Sequence, residues 1–248
     1  MQRIGDEVTD RISDIAGNTI VASLPAELGA RLRTELEHVS LDKGMVLIEP
    51  DKPVTDIYFP ISGLGSIIAL SPEGECAEIG LFGRDGMSGQ PILLGTESTP
   101  HRVLMQVGGE GYRIGADRLR DLIGESEAFR GALLRYVQAL SIQTAHTALS
   151  NAHHTVEERL ARWLLMSHDR MADDEVPLTH DFLALMLAVR RPSVTTALHV
   201  LEGMSLIKAT RGLVTIRDRG GLEDFAQDAY GTPEAEYERL IGPLRKQR

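Results

Sequence analysis

Thr179, Arg190, Arg191, Ser193, Thr195, Thr196, His199 and Arg211 fall within one short stretch of the chain and share one kind of chemistry. An arginine fork can donate two hydrogen bonds to the edge of a guanine, and hydroxyls and imidazoles can reach base edges or phosphates. Arg191 is the expected base contact. Arg190 and Ser193 are expected to hold phosphates, because both stand where a helix begins and exposed amides and the helix dipole favour anions. Local charge agrees. Residues 176–221 carry six Lys+Arg against three Asp+Glu, although the whole chain has a net charge of −10. A small basic module on an acidic body suits specific contact with little non-specific adhesion to nucleic acid.

Other chemistries find no support in the 248 residues. There is no GxxxxGK[ST] phosphate loop, no GxSxG elbow and no HExxH pair, so no catalytic site is expected. Cys76 is the single cysteine, which excludes an internal disulfide framework and a four-cysteine cluster, and it is read as a small strand residue. His146, His153, His154 and His168 are read as surface or capping residues, because no ligand-like spacing to carboxylates accompanies them. Neither cofactor nor metal is expected. No apolar run approaches the length of a membrane span, and the first residues alternate charge with aliphatics, so the protein is expected to be cytoplasmic, with no membrane partner.

The elements around the basic residues follow from their sequence. Thr179 can cap a helix over 181–187, a tight turn fits Ala188-Val189-Arg190, and Pro192 suits the first turn of a second helix that runs to about Met204. Phe182, Leu185 and Met186 on the first helix and Val194, Leu198 and Leu201 on the second are expected to face inward, fixing a steep crossing. Arg191, Ser193, Thr195, Thr196 and His199 then face out. Two short β-branched runs, 206–208 and 213–216, flank Arg211-Gly212 and predict a hairpin wing.

Upstream the pattern is different. Residues 41–114 are a series of short runs (45–49, 56–62, 65–71, 76–82 and 102–107) broken by glycine or proline, which predicts antiparallel strands forming a roll or barrel. A helix with Leu28, Leu32, Leu36 and Val39 on one face precedes them. From 126 to 153 there is no proline and one glycine, Gly131, so a helix of about seven turns is predicted. Phe129, Leu133, Tyr136 and Leu140 form an apolar seam on it. Either the chain's own roll or a second copy could cover that seam, and the prevalence of twofold dimers favours the second copy. Thr155 with Glu158 forms a capping-box pattern that starts a further amphipathic helix after a hinge at His153-His154-Thr155.

These motifs together resemble the Crp/Fnr family of bacterial transcription regulators, chiefly through LTHDFLALMLAVRRPSVTTALHVLEGMSLI and the strands around Tyr58-Phe59-Pro60-Ile61-Ser62-Gly63. The resemblance implies an α+β fold: an N-terminal double-stranded β-roll of the cyclic-nucleotide-binding type (20–125), a long dimerisation helix (126–153), a C-terminal winged helix-turn-helix (154–227) and a tail (228–248) without an assigned role. It implies a homodimer that binds double-stranded DNA, with RNA polymerase as a further candidate partner. Arg191 occupies the family's base-reading arginine position, while Pro192 and Thr196 replace a glutamate and a second arginine, so the DNA site does not carry over. The family's cyclic-nucleotide binders use a glycine-glutamate pair and an arginine followed by serine or threonine. Here Gln90 replaces the glutamate, Ser98-Thr99-Pro100-His101 stands near the arginine-serine place, and Arg102 is displaced. Losing the charge-assisted bonds to a cyclic phosphate disfavours cyclic AMP and leaves the effector unknown. The N-terminal cysteine cluster of the oxygen-sensing branch is absent. Two other readings stay open at this point: a ligand sensor whose winged domain binds protein, and a cyclic-nucleotide-regulated enzyme subunit.

Overall fold

The computed structural model describes residues 15–244; the first fourteen residues, whose alternation of charge and aliphatics was noted above, and the last four of the tail lie outside it. Three short helices, α1 (Thr19–Ala22), α2 (Ala26–Thr34) and α3 (Gln90–Leu93), are interleaved with seven strands: β1 (Glu37–Leu41), β2 (Val46–Ile48), β3 (Asp56–Pro60), β4 (Leu64–Leu70), β5 (Cys76–Phe82), β6 (Arg102–Val107) and β7 (Gly109–Gly115). The strands form two antiparallel sheets, ordered β1-β7-β3 and β2-β6-β4-β5, over a core containing Ile57, Phe59, Phe82, Met87 and Met105.

Two strands differ from the sequence reading. Val39, placed on the predicted helix, lies in β1 opposite Gly111, because α2 stops at Thr34. The strand β7, with three glycines in seven residues, carries no β-branched run to announce it. One of those glycines is required by packing: a Cβ at Gly111 would stand 2.7 Å from the Phe59 carbonyl oxygen.

After α4 (Ala116–Glu125) comes the long helix α5 (Glu127–His153), capped by the Ser126 hydroxyl, which accepts from the Phe129 amide. Here the structure corrects the dimer seam. Phe129, Leu133 and Tyr136 are buried in the roll's core, Leu140 packs against the same core, and the Tyr136 hydroxyl donates to the Met87 carbonyl at 3.0 Å. A stripe spaced by fours and threes fits any apolar partner, and the covalently attached roll takes it. The outward face of α5 instead exposes Leu134, Ser141, Ala145, Ala148, Leu149 and Ala152.

The Thr155–Glu158 capping box starts α6 (Val156–Arg170), whose residues from Leu160 onward are all buried. Beyond it lie β8 (Glu175–Val176), α7 (His180–Met186), α8 (Arg191–Gly203), β9 (Ile207–Thr210), β10 (Leu213–Ile216), α9 (Arg219–Ala226) and α10 (Thr232–Leu240), with a small antiparallel sheet ordered β8-β10-β9. The core of this C-terminal head is continuous with one face of the roll. Leu64, Ile68, Leu81 and Val107 from the strands join Trp163, Leu164, Met186 and Leu201 in one apolar cluster, so the head is docked on the roll. Among the described residues, no helix is long and apolar enough to cross a membrane.

Candidate nucleic-acid interface

Each member of the basic set owes its position to local chemistry. Thr179 caps α7, its hydroxyl accepting from the Phe182 amide at 3.3 Å. The turn that follows is tight because Ala188 takes a left-handed conformation (φ 49°) and the Val189 amide reaches back to the Ala184 carbonyl at 3.0 Å. Arg190 then caps α8 through its backbone, and Pro192 sits in the first turn, where its missing N–H leaves no bond unmade. Leu183 and Met186 on α7 meet Val194, Ala197, Leu198 and Leu201 on α8 as fully buried residues. Phe182 and Leu185, expected to face inward with Met186, are only half-buried.

The outward surface contains the eight expected residues. Arg190, Arg191, Thr196, His199, Thr179 and Arg211 are exposed, and Ser193 and Thr195 are half-buried. Arg211 rides the turn between β9 and β10, which Gly212 closes at φ 80°. Thr179, Arg191, His199 and Arg211 line one open groove of about 780 Å³ between α8 and the wing, which Arg190, Ser193, Thr195 and Thr196 do not line.

The sequence reading missed three neighbours. Asp181 pairs with the Arg191 Nε at 3.2 Å, with Arg191 still 65% exposed. His180 Nδ1 lies 3.2 Å from the Thr195 hydroxyl, which also donates to the Arg191 carbonyl. Glu202 accepts from the Ala209 amide at 2.7 Å and so fastens the wing to α8. Asp181 is ten residues before Arg191, too far apart for a helix-neighbour rule to have paired them. Only the crossing of α7 and α8 brings them together.

The sensory side holds a second space, about 520 Å³, between the roll and α5, and its wall includes Gln90, Thr96, Ser98, Thr99, His101 and Leu140. Gln90 donates to the Met87 carbonyl at 3.1 Å. Arg102 is not part of this wall; it points to Glu49 at 3.6 Å. Among the described residues, His101 is the one titratable side chain lining the space, and no arginine or lysine lines it. Two of the four histidines weighed above as ligands hold structural bonds. His154 bridges Ser150 (3.2 Å) and Asp228 (3.0 Å), and His168 stands between Asp174 (2.8 Å) and Arg219 (2.9 Å).

A β-roll, a long helix and a winged helix-turn-helix follow one another along the chain in this order. Within the head, residues 158–225 match the model of the Crp-like helix-turn-helix domain. Solved structures with the same fold include FixK2 from Bradyrhizobium japonicum (TM-score 0.67, 16% identity, covering 77% of this chain and 98% of that one). A transcriptional regulator of the CRP family from Thermus thermophilus gives a TM-score of 0.63 at 20% identity, with 76% and 96% covered. The c-di-GMP responsive global regulator CLP from Xanthomonas campestris gives 0.61 at 19%, with 77% and 99% covered. At these identities the likeness establishes the fold. A search of curated proteins finds no match.

Proposed function

We propose that the chain is a DNA-binding transcription regulator that works as a homodimer and reads a near-palindromic site with α8 in the major groove. The carrying observation is the exposed start of α8, where Arg190 at the cap and Arg191 and Thr196 on the helix face solvent in a Crp-like helix-turn-helix. Arg191 is the base reader, Arg190, Ser193 and Thr179 grip phosphates, and Arg211 on the wing lies along the backbone. Two heads would sit about 34 Å apart, one turn of the duplex. The outward stripe of α5 from Leu134 to Ala152 supplies the pairing face, since the first seam is occupied.

The signal enters through the space beside α5. A wall to which no described arginine or lysine contributes lacks the guanidinium clamp for a cyclic phosphate, which disfavours cyclic AMP and leaves the effector's chemistry open. Binding there would bear directly on α5 and, through it, on the hinge at His154. RNA polymerase remains a partner on family grounds only.

The test is Arg191→Ala. Affinity for a matched duplex should fall by about 1–3 kcal/mol while affinity for random DNA barely changes. Equal losses on both duplexes would reduce Arg191 to a phosphate contact. No salt-sensitive binding of the wild-type to any duplex would favour a protein partner for the winged head.

A further inference from the structure

The segment after α9 lies outside the Crp-like domain match, yet it touches both halves of the molecule. On the head side, the Tyr230 hydroxyl donates to Asp169 at 2.7 Å, and Arg219 donates to the same carboxylate at 2.7 Å. Asp228 pairs with His154, the residue at the hinge, at 3.0 Å. On the roll side, α10 lies along α5. Tyr237 and Leu244, only 5% and 2% exposed, are part of the roll's core, whereas Leu222 and Ala226, just upstream, are part of the head's.

Polar bonds fasten the same crossing. The Tyr237 hydroxyl donates to the Asp85 carbonyl at 2.7 Å, Arg135 to the Leu240 carbonyl at 3.1 Å, and Arg84 to the Leu244 carbonyl at 2.5 Å. Asp85 in turn pairs through its carboxylate with Arg170, the last residue of α6, at 2.7 Å, with both side chains 3% exposed. Roll, head and tail therefore meet at Asp85.

We infer that residues 227–244 are a strap that holds the head on the roll and acts as a brake on its reorientation. Turning the head about His154 and Thr155 would separate a buried ion pair, leaving each charge unpaired in a dry seam. It would also draw Tyr237 and Leu244 out of the roll's core, or tear Tyr230 and Asp228 from the head. The hinge by itself carries no such cost: Thr155 is exposed and held by its own capping box. The strap thus adds its own bonds to the direct contact of head and roll through Asp85–Arg170 and the apolar cluster, and a turn of the head must break both, whatever that head binds.

Hydrogen exchange on the full chain tests this without any DNA. In Tyr237→Ala, amides of residues 153–157 and the roll-facing amides of α6 should exchange at least tenfold faster, while α8, β9 and β10 keep their protection. Tyr237→Phe, which keeps the ring and the fold, should accelerate the same amides by a smaller factor. Unchanged exchange at the hinge in both variants overturns the strap. So does acceleration spread evenly through α8 and β10, which would make the tail a part of the head's own fold.

Discussion

Glu78 sits where the roll meets the head. Its side chain is buried on β5, where Oε1 accepts from the Trp163 indole at 2.7 Å and Oε2 meets the Ser66 hydroxyl at 2.5 Å, which also touches Gln106. Burial pushes its carboxyl up to about 7, against the bonds from Ser66 and Trp163 and the charges of Arg162 and Arg170, which hold it down. The buried group keeps its proton to about pH 7, whereas an exposed carboxyl loses it near 4.5. The stability this supplies is fully present below about pH 4.5 and is lost as the pH rises through about 7, a difference of about 3 kcal/mol at most. Thermal unfolding followed from pH 5 to 8 should show the wild-type losing Tm relative to Glu78→Gln; parallel curves would mean that Glu78 is ionised throughout. Nothing in CAEIGLF announced this role, since Trp163 lies 85 positions downstream and only the docked head brings the two together. Arg191 was legible for the opposite reason: its neighbours Arg190, Pro192 and Ser193 are adjacent in sequence, and the cap they form is local.

At the scale of elements, the helix-turn-helix followed from short-range rules and the long helix did not follow as far. The turn between α7 and α8 depends on Ala188 at φ 49°, a conformation that costs an alanine about 1 kcal/mol and a β-branched residue more. Ala188→Val should therefore lower Tm and weaken DNA retention together, measured by calorimetry and by filter binding, while a loss of retention with Tm unchanged would place Ala188 in the interface itself. The boundaries of α5 were read to within a residue or so, but periodicity cannot say which partner covers an apolar stripe. If the outward stripe pairs two chains, Leu134→Glu with Leu149→Glu should halve the mass in sedimentation without unfolding the protein, because both leucines are exposed, at 42% and 48%. A double variant that stays dimeric would put the pairing face elsewhere. Phe129→Glu, by contrast, should unfold the roll, with a carboxylate forced into its core.

Over the whole molecule, charge and topology divide the labour. An acidic roll, with a space beside α5 that no described arginine or lysine lines, is joined to a head whose basic residues cluster on one surface. The reversal of charge at 176–221 is visible in the sequence itself. The docking of head on roll is not, because Asp85–Arg170 and the apolar seam join residues remote in sequence. The central claim is that this head recognises a particular duplex as a symmetric pair, and selection from random double-stranded DNA tests it most directly, run with and without cyclic AMP. Two inverted half-sites with centres about ten base pairs apart should emerge, the same in both conditions, and Arg191→Ala should fail to enrich them. Recovery of unenriched sequences by the wild-type, at every salt concentration and with cyclic AMP present or absent, would contradict it.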